Sequence, residues 1–397
     1  MTNTTNEPKN PGDLRRATLP ITLALVLGAG TAQAGPTITY GDEGMLTLDY
    51  DLQIWSQYQD YRSDTVDKDS IDTFLRRNRI TLSGQFNDYV GFYAQLESGN
   101  DGKYDNYDRP VYYRDAYVTF DWTDSVRFIA GRFKNTFSRE NLEACLEPLT
   151  LDRSLMSYTP FAGSRDTGVA MWGNLANAKL QYRIMVADGR EGDDVPEDSA
   201  RITGRVHYTA FDPEYSYGYL GTYLGTQQVL TIGASYDYQA NAVYENLPGR
   251  QDPKNYSAWT VDVFYEQPTR SGTFTVSGAY FDYSVDGALN GDPLLIDHTV
   301  SPAAEMESYY VKAGYLLPGK VGIGRLQFFA RYDESDYDRN DPYYDNTYTA
   351  AGFNYYLSGQ QLKFTFEYGN VDFDEPFPGI YSLQDYTQAT LGFQMLF

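Results

Sequence analysis

An alternation of apolar and polar residues recurs along most of this chain and limits its possible folds more than any other feature. In the segment MLTLDYDLQIW, every second residue from 46 to 54 is apolar and the residues between them are polar. Similar segments include RNRITLSGQF, AKLQYRIMVA, TFTVSGAYFDY and LKFTFEYG. A period of two is typical of β-strands with one apolar and one polar face. We count about 16 such segments, within the even-numbered range of bacterial outer-membrane barrels, and several have the ~9–11 residues that a tilted membrane-spanning strand needs.

The connections between these segments alternate between long and short. Short connections such as NLAN and SGQQ alternate with eight long ones, at 59–73, 98–114, 134–166, 188–200, 240–257, 285–306, 334–346 and 371–386. Outer-membrane barrels have long extracellular loops and short periplasmic turns, whereas a periplasmic β-sandwich has no reason to separate the two. One connection, residues 210–228, is long where a short turn is expected. The pattern predicts an all-β fold, a transmembrane antiparallel barrel of about 16 strands with long extracellular loops.

Both ends of the chain favour an exported barrel. Arg15 and Arg16 precede the apolar run LPITLALVLGAG, and the run is followed by Ala-Gln-Ala at 32–34, which matches an A-x-A cleavage site. We therefore predict a Sec signal peptide over residues 1–34 and a barrel domain over residues 35–397. The last segment, TQATLGFQMLF, alternates up to Phe397, so we expect it to be the strand that closes the barrel.

Composition and charge restrict the function. The 38 tyrosines and 35 glycines suit a large antiparallel β-structure. The formal net charge is −23, and in the eight long connections acidic residues outnumber basic ones by more than two to one. Either these acids form a solvated face that bridges to lipopolysaccharide through divalent cations, or they form an acidic vestibule that concentrates cations. A nucleic-acid partner is not expected, because it would require a basic surface.

Several motifs resemble the phosphate-selective porin O and P family. They are GRFKNTFSRE at 131–140, FLRRNRITLSGQF at 74–86, YRDAYVTF at 113–120 and YTAAGFNYYLSGQQLKFTFEYG at 348–369. The resemblance implies a homotrimeric porin of the Gram-negative outer membrane with about 16 strands. Such a porin is a water-filled diffusion channel for small ions and hydrophilic solutes, which can include anions such as phosphate. The resemblance further implies that the barrel-assembly machinery reads the last strand, with Phe397 as the assembly signal, and that loop 134–166 folds inward to narrow the pore.

Charged residues of that loop and of the inward strand faces are the candidates for pore lining and constriction. We expect the glutamates of the loop to face strand arginines across the opening, which would give the pore a modest ion preference. The resemblance implies basic residues in the long loops for phosphate selection, yet loop 285–306 contains no Lys or Arg. Cation or anion preference therefore stays open at this stage. The candidate residues are Arg77, Arg79, Arg127, Arg139, Glu140, Glu143, Glu147, Arg183, Arg201 and Arg205.

Signals for other functions are weak. Cys145 is the single cysteine, and His207 and His298 are the two histidines. A hydrolase would need a histidine as general base, and neither has an evident serine partner in the sequence. We predict no catalytic residue, no cofactor and no metal site. Two alternatives to a channel stay open, a non-conducting barrel adhesin or scaffold and an outer-membrane barrel hydrolase; single-channel conductance and hydrolysis assays would discriminate among the three.

Overall fold

The computed structural model describes residues 35–41, 43–63, 66–98, 111–157, 164–192, 195–246, 249–288, 295–296, 299–300, 305–337, 345–375 and 385–397. The predicted signal peptide and His298 lie outside these residues. In the described ranges, no helix is long and apolar enough to cross a membrane. The strands are β1 (Thr37–Tyr40), β2 (Gly44–Ser63), β3 (Val66–Gln85), β4 (Val90–Ser98), β5 (Tyr112–Thr123), β6 (Val126–Lys134), β7 (Arg165–Leu175), β8 (Leu180–Ala187), β9 (Arg201–Thr209), β10 (Val229–Asn246), β11 (Gln251–Thr269), β12 (Gly272–Ser284), β13 (Leu295–Ile296), β14 (Thr299–Val300), β15 (Met306–Val321), β16 (Gly324–Tyr337), β17 (Asn346–Ser358), β18 (Leu362–Phe373) and β19 (Tyr386–Leu396). Helix α1 (Arg139–Leu142) and a 3₁₀ turn (Leu155–Ser157) lie between β6 and β7.

Sixteen of these strands, β2–β12 and β15–β19, form a closed antiparallel barrel. Each pairs with the next along the chain, and β19 returns to pair with β2, from Tyr386 opposite Tyr61 to Leu396 opposite Asp51. The closing ladder includes Phe397, whose N–H donates to the Tyr50 carbonyl at 2.9 Å and whose carbonyl accepts from the Tyr50 N–H at 2.7 Å. A closed barrel leaves no strand edge unpaired in lipid. The prediction of a barrel of about 16 strands is confirmed.

The alternation in the sequence separates the two surfaces of the barrel wall. On β9, Ile202 and Val206 are half exposed on the outer surface, at 50% and 51%. Arg201 and Arg205 lie between them in sequence and are buried in the interior. Because successive side chains of a strand point to opposite faces, one segment can meet lipid on one side and polar groups on the other. This arrangement places the charged candidate residues inside the barrel.

Two predicted loops are mostly strand. Residues 59–73 fall largely within β2 and β3, and residues 240–257 fall largely within β10 and β11. These strands have 18 to 20 residues, more than the ~9–11 that cross a membrane. Backbone pairing continues beyond the length of a membrane crossing as tall hairpins, and Ala242, Val243 and Tyr256 of the β10–β11 hairpin are buried. The sequence did not reveal them, because residues 59–73 and 240–257 do not alternate regularly between apolar and polar side chains, which is the pattern by which strands are recognised.

We predict that Phe397→Asp will reduce the amount of folded barrel in the outer membrane. Phe397 is 65% exposed, and its backbone completes the ladder between β19 and β2, so a carboxylate there would place a charge at the closing seam. The measurement is the fraction of the heat-modifiable band in outer-membrane preparations, with Phe397→Tyr as the control that keeps the aromatic ring. Normal accumulation of the Asp variant would show that Phe397 is not an assembly signal.

Candidate pore constriction

The loop between β6 and β7 crosses the interior of the barrel and contacts the opposite wall. Its described residues are 134–157 and 164. The N–H of Leu151 donates to Glu367 Oε2 on β18 at 3.1 Å, and Asn354 Nδ2 on β17 donates to the Leu149 carbonyl at 2.8 Å. Because β17 and β18 lie across the barrel from β6 and β7, these bonds hold the loop over the opening. The loop is therefore the element that narrows the pore, as the resemblance implied.

Helix α1 begins the crossing and sends two candidate residues in different directions. Its N-cap is Ser138, whose hydroxyl accepts from the Asn141 N–H at 3.0 Å. Glu140 forms an ion pair with Lys312 on β15. Arg139 makes a bidentate ion pair with Glu214, both bonds at 2.8 Å. Both glutamates are buried, so α1 is anchored on two sides by charge pairs out of contact with bulk water.

Glu214 belongs to residues 210–228, the connection that is too long for a periplasmic turn. This segment folds into the barrel from the end opposite the constriction loop and meets that loop there. The Ala144 N–H donates to the Tyr219 carbonyl at 2.9 Å, which joins the two segments through their backbones. The Arg139 guanidinium overcomes the effect of burial and lowers the pKa of the Glu214 carboxyl to about 2. Residues 210–228 are therefore a second segment that folds into the barrel, and we call them the periplasmic insert.

Tyr219 is the centre of the contacts between the periplasmic insert and the wall. Its hydroxyl accepts from Arg183 Nη1 at 2.6 Å and from Arg205 Nε at 3.2 Å, and it lies 2.5 Å from His207 Nδ1. Arg183 also donates to the Tyr217 carbonyl at 2.7 Å. These contacts give His207 a place in the packing of the insert against β8 and β9.

A β-bulge turns an unpredicted arginine into the barrel. Gln53 pairs with Arg77 but Ile54 pairs with Leu75, so Arg76 is an extra residue on β3. Strict alternation would place Arg76 outside, yet both arginines donate to Asp152 of the constriction loop, at 2.7 Å and 2.8 Å. Burial alone would raise the pKa of the Asp152 carboxyl, but Arg77 and Arg76 hold it well below its usual range. The motif LRR supplies a two-arginine clamp on the loop.

A second bulge adds another arginine on β5. Gln95 pairs with Asp115 while Leu96 pairs with Tyr113, which turns Arg114 inward beside Asp115. Arg114 and Arg79 share the carboxylate of Glu97, to which Arg79 Nε donates at 2.7 Å. Two arginines of the wall therefore contact one carboxylate, and Asp51 lies opposite Arg79 on β2.

In the ion pairs of the described residues, the strand arginines bind aspartates or a glutamate of a neighbouring strand and not the glutamates of the loop. Arg77 meets Asp152, and Arg79 meets the neighbouring strand. The remaining strand candidates also have their own partners. Arg201 pairs with Asp237, Arg205 with Asp262 at 2.6 Å, and Arg127 with Asp124 at 2.8 Å near the periplasmic end of β6, away from the loop. The sequence could not reveal these partners, because they depend on strand register and on the two bulges.

The glutamates of the loop differ in their exposure to water. Glu140 and Glu143 are buried, at 2% and 4% exposure, whereas Glu147 is partly exposed. Burial and the neighbouring Glu140 carboxylate raise the pKa of Glu143 to about 8. Burial also raises the pKa of Glu147 above its ordinary value, while Lys363 and Lys134 act in the opposite direction. Glu147 is therefore the loop glutamate whose charge reaches the water path.

Positive charges surround Cys145 in the loop. Arg114 Nη2 lies 3.8 Å from its sulfur, and the thiol is buried. Burial by itself would raise the thiol pKa, but Arg153, Lys134 and Arg114 hold it well below its ordinary value. These three residues place positive charge on this side of the constriction. Lys134 is itself partly exposed, and its ammonium donates to the Leu142 carbonyl at 3.1 Å and to the Glu143 carbonyl at 2.5 Å.

The described part of the chain contains no group of three or more His, Cys, Asp or Glu residues that could hold a metal ion. The constriction instead combines inward arginines and lysines with carboxylates at hydrogen-bonding distance. Such an arrangement can hold two segments across a lumen and leave a mixed set of partly exposed charges beside the water path.

Comparisons with known proteins agree with a porin barrel. The family model of phosphate-selective porin O and P matches residues 48–395. An uncharacterised protein of Aquifex aeolicus is 20% identical over 373 residues, which cover 85% of this chain and 80% of that protein.

Three solved structures have a similar fold at low sequence identity. OmpF of Salmonella typhi in complex with daunomycin has a TM-score of 0.61 and 13% identity, covering 90% of this chain and 99% of its own. An anion-selective porin from Comamonas acidovorans has a TM-score of 0.57 and 12% identity, covering 89% and 100%. The trimer form of OmpT from Vibrio cholerae has a TM-score of 0.54 and 11% identity, covering 90% and 100%.

We predict that Asp152→Asn will loosen the constriction loop. The change leaves Arg76 and Arg77 without their shared carboxylate, and breaking such a pair costs about 3 kcal/mol when it is buried. Open-channel current noise in planar bilayers should rise, and the folded band should be lost at a lower temperature. Asp212→Asn, which changes a carboxylate of the periplasmic insert outside the clamp, is the control. Unchanged noise and stability in Asp152→Asn would contradict a role of the clamp in holding the loop.

Proposed function

The chain belongs to the phosphate-selective porin O and P family and is an outer-membrane channel, and on that premise we propose a general diffusion pore of modest ion preference. Its solutes are small ions and hydrophilic molecules, with small anions such as phosphate among them. The observation that carries this proposal is the pairing of inward cations with carboxylates. Arg77, Arg201 and Arg205 each contact an acidic group, which leaves them less able to select anions.

A residual positive potential supports the admission of anions. Arg79 and Arg114 share one carboxylate, and Arg153 and Lys134 add positive charge beside Cys145. A small anion that passes this side of the loop would meet several donors without a preformed cage of lysines. Such a patch favours brief residence, which suits conduction better than tight binding.

The outer loops would form an acidic vestibule above this patch. Acidic residues predominate in the long connections, and the chain as a whole has 54 Asp and Glu against 31 Lys and Arg. Fields from exposed carboxylates are screened beyond ~8 Å at physiological salt. The vestibule would therefore enrich cations mainly at low ionic strength, and the constriction would set the preference at high ionic strength.

Maturation and assembly complete the proposal. Residues 1–34 would direct Sec export and be removed, after which the barrel-assembly machinery would insert the barrel by its last strand. The outer acids would contact lipopolysaccharide through divalent cations. We propose a homotrimer, because one structure of similar fold is described as a trimer form.

The two alternatives to a channel receive less support. A hydrolase would require a free general base, whereas His207 Nδ1 lies 2.5 Å from the Tyr219 hydroxyl in the packing of the periplasmic insert. A non-conducting scaffold would not need partly exposed charges such as Glu147 and Lys134 beside the loop. Conductance of the purified barrel separates the channel from both alternatives.

Planar-bilayer recording in asymmetric KCl tests the pore directly. We expect single-channel steps and a reversal potential close to zero, because paired charges cancel most of the field in the lumen. Lys134→Gln should shift the reversal potential toward cation preference, since it removes a partly exposed cation beside Cys145. Arg127→Gln is the matched control, because Arg127 lies away from the loop and is paired with Asp124.

Three outcomes of this recording would contradict parts of the proposal. Absence of conductance would favour the scaffold. Inhibition of chloride current by micromolar phosphate would show a specific phosphate channel in place of a weakly selective pore. If the ion preference is the same at low and high salt, the acidic vestibule does not contribute to it.

Glu147 should make the ion preference depend on pH. Its pKa is raised, so as the pH falls its negative charge is lost at a higher pH than that of an ordinary glutamate. The reversal potential should therefore move toward anions on mild acidification, and Glu147→Gln should abolish most of that shift. Glu140→Gln, which changes a buried and paired carboxylate, should retain it. An equal acid shift in wild type and Glu147→Gln would assign the effect to other groups.

A further inference from the structure

Strand β1 continues the barrel wall at the point where β19 ends. The ladder of β19 on β2 finishes with Phe397, which bonds to the backbone of Tyr50. Further along the same edge of β2, the Leu48 N–H donates to the Pro36 carbonyl at 3.3 Å, and β1 pairs with β2 from there on. The other edge of β2 is occupied by β3. Residues 35–40 therefore extend the closing seam beyond Phe397.

Gly35 lies at the junction between β1 and β19. A Cβ atom built on Gly35 would overlap the Leu48 carbonyl oxygen and would lie 3.3 Å from the Phe397 carbonyl oxygen. Both neighbours are backbone atoms held in the ladder of β2, so they cannot rotate away from an added side chain. The seam therefore accepts only glycine at residue 35.

A carboxylate of the lumen holds the nitrogen of Gly35. The Gly35 N–H donates to Asp49 Oδ1 at 2.7 Å. Asp49 and Gln53 share the inward face of β2, whereas Leu48 is exposed on the outer face at 47%. Among the residues that the structure describes, no lysine or arginine makes an ion pair with Asp49. Asp49 is thus a partly exposed carboxylate whose partner in the described structure is a nitrogen next to the predicted cleavage site.

Cleavage after Ala34 changes the chemistry of this nitrogen. Hydrolysis breaks the bond between the Ala34 carbonyl carbon and the Gly35 nitrogen and consumes one water. The water oxygen forms a carboxylate that leaves with the signal peptide, and both protons of the water go to the nitrogen. The product is an α-ammonium group, the form that predominates at neutral pH. A hydrogen bond from a charged donor to a carboxylate is about twice as strong as one from a neutral donor.

We infer that Asp49 is the binding site for the α-ammonium group of the mature N-terminus at Gly35. The inference rests on the signal-peptide cleavage of the proposed function and adds the acceptor for the group that cleavage creates. The ion pair fastens β1 to β2 beside Phe397, so removal of the signal peptide completes the seam. It also neutralises one carboxylate of the periplasmic half of the lumen, where Asp51 is the next inward carboxylate along β2.

Two variants remove opposite halves of this ion pair. Asp49→Asn leaves the ammonium without its carboxylate, so the reversal potential in asymmetric KCl should move toward anions. A Ser-Gly-Ser insertion between Ala34 and Gly35 keeps the cleavage site and moves the ammonium into the periplasm, so the reversal potential should move toward cations. Both variants should lose the folded, heat-modifiable band at a lower temperature than wild type. If Asp49 needs only a neutral N–H donor, the insertion variant will match wild type, because its Gly35 keeps an amide N–H.

Two further substitutions complete the series. Gly35→Ala should also lower the temperature at which the folded band is lost, because its Cβ overlaps the backbone of β2. Asp88→Asn is the matched control, since Asp88 is an exposed carboxylate in the turn between β3 and β4, at the same end of the barrel. It should match wild type in both measurements, because an exposed charge is screened by salt.

The mass of the N-terminal peptide of the purified mature protein separates this inference from the proposed cleavage. A wild-type chain that begins at a residue other than Gly35 would overturn both. A chain that begins at Gly35, combined with an insertion variant that matches wild type, would overturn the ion pair and leave the cleavage site intact. Reversal potentials that move in the same direction in Asp49→Asn and in the insertion variant would also overturn the ion pair. If the wild type does not conduct, the proposed channel is wrong, and the temperature series alone decides whether the ion pair forms.

Discussion

The structure depends on the backbone ladder between the last strand and the first strand of the barrel. In lipid, no water is available to satisfy an unpaired N–H or carbonyl, so the sheet must close or it cannot span the membrane. Closure between β19 and β2 fixes the inward and outward sets of side chains on every strand. Once those sets are fixed, the lumen receives charged residues in numbers that would be too unfavourable without partners. The ion pairs of the constriction are therefore a consequence of closure.

Those ion pairs hold two segments in the narrowest part of the channel, the constriction loop and the periplasmic insert. Arg76 and Arg77 bind the outer loop at Asp152, while Glu214 of the periplasmic insert binds the same loop at Arg139. Each clamp uses a carboxylate of a connection and an arginine that faces the lumen. When a charged side chain is paired to hold a segment, its partner cancels most of the electric field that a passing ion would experience. Structural and selective roles thus compete for the same residues, and among the described residues of the constriction Glu147 and Lys134 are partly exposed.

The alternation of the sequence was sufficient to predict the closed barrel and the inward position of residues such as Arg201 and Arg205, because strand geometry is local. It could not predict Arg76 or Arg114, since each bulge adds one residue and reverses the face that a strict period of two assigns. Residues 210–228 gave a signal in their length alone. Their contacts with Arg139 and Arg183 could not be foreseen, because nothing in a single sequence shows which distant groups meet inside a closed wall.

The constriction loop joins parts of the chain that are far apart in the order of synthesis. Its contact with Glu214 involves a nearby segment, but Lys312 and Glu367 arrive much later. A loop cannot settle on strands that have not yet entered the sheet, and closing long intervals of chain is slow. The lumen must therefore pass through a stage in which the early half of the constriction is formed and the late half is absent. Because the sheet must close before it can span lipid, the contacts with Lys312 and Glu367 complete the constriction only when β15 to β19 have joined the barrel.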